Sequence, residues 1–90
     1  MNIEMVESQE TTDIEALRRE IDRLDAEILA AVKRRAEVSQ AIGKVRMASG
    51  GTRLVHSREM KVIERYSELG PEGKDLAMLL LRLGRGRLGH

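Results

Sequence analysis

Cysteine is absent from all 90 residues, which rules out disulfides, a thiol nucleophile and any cysteine-based metal site. Phe and Trp are absent as well, and one Tyr brings the aromatic content to 1%. The chain therefore offers no aromatic platforms on which nucleic-acid bases could stack. Proline occurs once, at position 71, so no proline breaks a helix before that point. No apolar run approaches the ~18 residues of a membrane span. The acidic, polar start reads neither as a signal nor as a transit peptide. What is present is a 41% hydrophobic sequence rich in Ala, Leu, Ile, Glu and Arg. That composition indicates helices, a thin core and one soluble cytoplasmic domain over residues 1–90.

The net charge of +1 hides an asymmetry. Residues 1–27 hold nine acids and three arginines, whereas residues 33–58 hold seven Lys/Arg and a single acid, Glu37. Arg82, Arg85 and Arg87 add positive charge near the end. A basic middle and end behind an acidic start points to a local anion-binding region, the alternative being a solvated mixed-charge surface.

A loop at Ser49-Gly50-Gly51-Thr52 and a break at Gly70-Pro71 divide the chain into three helical segments. They follow a polar stretch, residues 1–11, expected to fray. The first segment is predicted from about Asp13 to Met47, capped by Thr11, Thr12 or Asp13. Its apolar positions Ile14, Leu17, Ile21, Leu24, Ile28, Ala31, Val38, Ile42 and Val45 recur at helical spacing, with Arg35 in the one missing place. A helix of ~35 residues is ~50 Å long, beyond the ~25–30 Å diameter of a globule of this size. Its stripe needs more cover than the rest of the chain supplies, which implies a second copy of the same helix. The second segment, about Val55 to Leu69, has the stripe Val55, Glu59, Val62, Tyr66 and Leu69. The third starts at Pro71 and is apolar nearly all round to about Leu83, so it is expected to be well buried. Gly84, Gly86 and Gly89 then predict a flexible tail over residues 84–90. The expected fold is all-α, with one long and two short helices per chain and a second copy of the chain against the long helix.

Arg35 and Glu59 are charges on apolar stripes, which cost free energy unless paired or used. They read either as a snorkelling Arg with a rim Glu, as a register-setting pair, or as parts of a site. At ~100° per residue Arg46 lies within ~20° of Arg35 and ~16 Å along the axis, whereas Lys44 falls on the opposite side. Arg58 adjoins Glu59, and the glycine loop folds both back towards the end of the first helix. Arg18, ~25 Å from Arg35 on the same helix, can join such a site only from an antiparallel second chain. The candidate site thus holds Arg35, Arg46, Arg58 and Glu59, with Arg18 from a partner and Lys44 as a further candidate. It has no Ser/His/Asp arrangement, phosphate loop or metal-ligand cluster. His56 reads as a surface residue and His90 as part of the tail. A small polyanion held by arginine forks fits this set.

The run LRREIDRLDAEILAAVKRRAEVSQAIGKVRMASGGTRLVHSREMKVIERYSELG resembles the all-helical class of chorismate mutases. The marks are the LR…IDxLDxEIL opening, the KRRAEVSxAIGKxR middle and the SREMKVIER start of the second helix. The likeness covers residues 14–70 well, and is greatest to the short intracellular actinobacterial members. It implies an intertwined helical homodimer of three-helix chains, with interlocked long helices and two active sites that convert chorismate to prephenate without metal or cofactor. By the same resemblance Arg18 reaches the partner's site and Arg35 and Arg58 bind substrate carboxylates. Arg46 stands where relatives commonly have Lys and donates to the ether oxygen, and Glu59 meets the substrate hydroxyl.

Two departures stand out. Val55 occupies the place of an Asp that orients the hydroxyl region in many relatives. The third helix lacks their polar residue beside the ether oxygen, for which Arg85 is a partial substitute. A weak isolated enzyme is therefore expected, completed by a partner on its C-terminal tail. For this group the partner implied is the 3-deoxy-heptulosonate-phosphate (DAHP) synthase. Two other readings compete. A nucleic-acid-binding module is argued against by the acidic first half and the missing aromatics. A non-catalytic coiled-coil or regulatory subunit would use Arg35 and Glu59 only to set register.

Overall fold

A computed structural model describes residues 13–51 and 56–86, which form three helices with no strand among them. Helix α1 spans Ile14–Ala48, α2 His56–Tyr66 and α3 Pro71–Arg85, with a single 3-10 turn at Ser67–Leu69 between α2 and α3. Among the described residues no helix is long and apolar enough to cross a membrane. The chain divides into two compact units, residues 1–31 and residues 32–90.

In the first unit, Asp13 begins α1. Its carboxylate Oδ1 accepts from the Ala16 N–H at 3.2 Å and its carbonyl from Leu17 N–H at 3.0 Å. This satisfies a donor that the first turn leaves open, and Glu15 adds an anion at the positive end of the helix. Arg23 bridges Glu20 and Glu27 on the solvent side, and its hydrogen bond holds the Glu20 carboxyl below the usual carboxylate range. The opposite stripe is bare: Ile14, Leu17, Ile21, Leu24 and Ile28 are 37–62% exposed. No residue of α1 is buried over its whole length, in keeping with a stripe that the chain's remainder does not cover.

In the second unit the core is small and lies between α2 and α3, where Val62, Ala77 and Leu80 are buried. Two glycines set the packing distance. A Cβ on Gly73 would overlap the Tyr66 carbonyl oxygen, so only glycine lets the first turn of α3 close on the end of α2. A Cβ on Gly84 would stand 2.9 Å from the Ser39 Cβ and 2.5 Å from its Oγ, so the last turn of α3 rests on α1 there. Gly70, with φ 85°, turns the chain into Pro71, whose fixed φ suits the first helical position.

Two expectations are corrected. The third helix is not buried all round: Leu76, Met78, Leu79 and Leu83 are 36–46% exposed, because α1 and α2 cover only one side of it. Nor does the helix loosen at Gly84. It continues through Arg85 and ends at Gly86, φ 77°, because the contact with Ser39 requires a residue without a side chain. Residues 1–11 and 87–90, expected to fray, lie outside the described residues.

Replacing Gly73 by Ala is expected to destabilise by about 1–3 kcal/mol through overpacking against backbone. Gly84→Ala, which meets a serine side chain, should lower the melting temperature less. Thermal unfolding followed by circular dichroism checks the order, and equal shifts would show that the α2–α3 turn yields freely.

Candidate active site

The end of α1 is shaped by its glycines. The Gly51 N–H donates to the Arg46 carbonyl at 2.8 Å and the Gly50 N–H to the Met47 carbonyl at 3.0 Å, with Gly50 at φ 84°. This six-to-one and five-to-two pattern satisfies carbonyls that the helix end leaves open. It fixes the backbone of Arg46, whose cation sits at the negative end of the helix dipole. Glu59 occupies the first turn of α2, where the dipole favours an anion, and Arg58 precedes it.

These elements enclose a cavity of about 800 Å³, within the size range of small-molecule sites. Arg35, Lys44, Arg46, Arg58 and Arg85 contribute cations to its wall and Glu59 the one carboxylate, with Val38, Ile42, Met47, Val62 and Leu81 as apolar lining. Arg35, Arg46, Glu59 and Arg85 are half-buried, whereas Arg58 and Lys44 are exposed. Glu59 Oε2 accepts from Arg85 Nη2 at 3.2 Å, with side chains 22% and 31% exposed, so water still screens the pair. Arg35 Nη1 donates to the Leu80 carbonyl at 3.3 Å. One face of that guanidinium is thereby committed to α3 while its other donors remain for a ligand.

Of the residues singled out from sequence, Arg35, Arg46, Arg58, Glu59 and Arg85 share this one wall. Lys44 joins them, which corrects the expectation that it turns away. Arg18 is an exposed residue of the first unit. Val55 lies outside the described residues. Ser39 and Gln40 also line the cavity and were not singled out. The available signal was spacing, since Ser39 stands four residues after Arg35 and seven before Arg46 on one helical face.

A strong concentration of arginine donors around one carboxylate suits a small polyanion. The family profile described as chorismate mutase type II matches residues 17–83. The intracellular chorismate mutases of Mycobacterium tuberculosis and Mycobacterium bovis are 84% identical over 90 residues, covering 100% of this chain and 86% of theirs. That of Mycolicibacterium smegmatis is 80% identical over 79 residues, 87% of this chain and 76% of its own. Among solved structures, a chain of the non-covalent complex of DAHP synthase and chorismate mutase from Corynebacterium glutamicum, with bound transition state analog, superposes with TM-score 0.79. It is 56% identical and the match covers 88% of this chain and 96% of that one. With most of its length inside the profile and relatives this similar along nearly all of it, the chain belongs to the type II chorismate mutases, isomerases of aromatic biosynthesis.

Proposed function

We propose that the arginine-lined cavity is where chorismate becomes prephenate, and the observation that carries this is the convergence of four arginines and Glu59 on one wall. The reaction breaks a C–O bond as a C–C bond forms in a single pericyclic step, so no nucleophile or proton relay is required. Two tasks are left to the protein. It must hold a flexible dianion in a compact conformer, which is orientation work. It must also stabilise the negative charge that grows on the ether oxygen.

In this reading Arg35 and Arg58 bind the two carboxylates. Arg46, fixed by the glycine cap, donates to the ether oxygen, and Glu59 accepts from the substrate hydroxyl. Arg85 stands at the end of α3 as the remaining donor towards the ether oxygen. To reach substrate it exchanges its bond with Glu59, which the hydroxyl then takes over. A second protomer covers the exposed stripes of α1 and α3 and supplies Arg18 to the cavity. The Corynebacterium relative is found in a complex with DAHP synthase. By analogy this chain works in such a complex, its own rate being low because Val55 replaces an orienting Asp and the third helix lacks the usual polar residue beside the ether oxygen. Residues 87–90, with Arg85, form the proposed contact.

Three outcomes test the reading. Arg46→Ala is expected to lower kcat by about 10²–10³, the usual cost of losing a donor to developing charge, with Lys44→Ala far milder because no contact with the ether oxygen is assigned to Lys44. The loss of chorismate ultraviolet absorbance measures both, and equal losses would reassign the ether-oxygen donor. Mixing inactive Arg18→Ala chains with inactive Arg35→Ala chains should restore activity as subunits exchange, since some heterodimers then hold one intact cavity. If exchange is demonstrated without any recovery, Arg18 does not act across the dimer. Deleting residues 87–90 should leave the basal rate largely intact and abolish stimulation by a DAHP synthase, and a truncated chain that is stimulated in full would remove the tail from the contact.

A further inference from the structure

Arg85 reaches the cavity from the last turn of a helix, where four backbone carbonyls have no partner within the helix and the end is prone to fray. In this chain that end is held from outside. Gln40 Nε2 on α1 donates to the Leu83 carbonyl at 3.1 Å. The same carbonyl accepts the Gly86 N–H at 3.1 Å, which closes the helix. The Gln40 amide also lies directly against Gly86: a Cβ there would stand 3.1 Å from Gln40 Cδ and from Nε2. One turn earlier Arg35 Nη1 grips the Leu80 carbonyl. The two α1 side chains therefore clamp successive turns of α3, and between them Gly84 rests on Ser39.

The two clamps differ in what happens when substrate arrives. Arg35 is itself proposed to bind a substrate carboxylate, so its guanidinium is shared between Leu80 and the ligand. Gln40 is neutral and has no claim on it from an anion. We propose that Gln40 is a positioning residue, which holds the terminal turn of α3 so that the Arg85 guanidinium stays over the cavity while Arg35 and Glu59 are engaged by substrate. This rests on the reading of Arg85 as a donor to the reacting ether oxygen. Arg85 is then the group that acts, and Gln40 acts through it.

The consequence is a defined coupling. Gln40→Met keeps length and volume but removes the donor. It should lower kcat about three- to tenfold, the range that follows from the net worth of one hydrogen bond, with KM little changed. Gln40→Lys keeps a donor within reach of the Leu83 carbonyl, and its charge suits the C-terminal end of a helix, so it should retain most of the rate. Arg85→Ala should cost more than Gln40→Met. In the Arg85→Ala background, Gln40→Met should have no further effect, because the residue it positions is gone. The four proteins and the double variant are compared by chorismate consumption, with melting temperatures measured alongside.

A full second loss on top of Arg85→Ala would overturn the proposal, since Gln40 would then act on something else. So would an unchanged kcat in Gln40→Met, or a loss in Gln40→Met that Gln40→Lys shares. If Arg85→Ala keeps the full rate, the reading of Arg85 falls and the proposal with it. If Arg85→Ala is impaired but Gln40→Met is not, the proposal alone fails.

Discussion

The bond from the Arg35 guanidinium to the Leu80 carbonyl joins the first helix to the last, and the arrangement of the cavity depends on it. An arginine in an apolar stripe costs free energy unless its donors are satisfied. Here a backbone carbonyl of α3 satisfies one edge, so the cation is anchored without being neutralised. The same contact region needs α3 to come close, and Gly84 against Ser39 permits it. Any side chain at position 84 would push the helix end outward, carrying both the Leu80 carbonyl and Arg85 away from α1.

Crowding cations is unfavourable by itself, and five of them line one cavity. Three features offset the repulsion. Glu59 pairs with Arg85. Arg46 sits at the negative end of α1, and Glu59 at the positive end of α2, so the helix dipoles favour the sign found at each place. The remaining excess of positive charge is what a dianionic substrate would neutralise. A pericyclic isomerisation makes few demands beyond this. Fixed donors placed where charge develops do most of the work, because they need no reorganisation as the bond breaks.

The exposure of apolar residues follows from the same economy. A chain of this length has too little surface-covering material to bury both a long helix and its own third helix. The stripe of α1 and the outer side of α3, including Leu76, Met78, Leu79 and Leu83, are left uncovered. Those faces are the proposed seat of the second protomer, which is also the proposed source of Arg18. Assembly and chemistry would then share one requirement, since the surface that needs covering and the cavity that needs a further cation are met by the same partner.

The three helices were legible in the sequence by itself, though not the end of the last one. Helical spacing of apolar residues, a cap among Thr11, Thr12 and Asp13, the Ser49-Gly50-Gly51 turn and Gly70-Pro71 are local signals, and local backbone physics answers to them. Arg35 and Glu59 were legible as misplaced charges, because the pattern on each side shows which positions ought to be apolar. The membership in a family of mutases was legible in the ordered motifs. Tertiary structure decided what no spacing rule contains. It brought Arg85 to Glu59, 26 residues away, and carried α3 through Gly84, where intrinsic propensity argues for a break. It put Lys44 on the cavity wall and left half of α3 in water. Gln40 is the clearest case. As a polar residue on a polar side of a helix it carries no signal in one dimension, and it becomes a helix cap only because α3 ends beside it. Propensity and periodicity are properties of neighbours along the chain, whereas a capped carbonyl and a shared cavity are properties of neighbours in space.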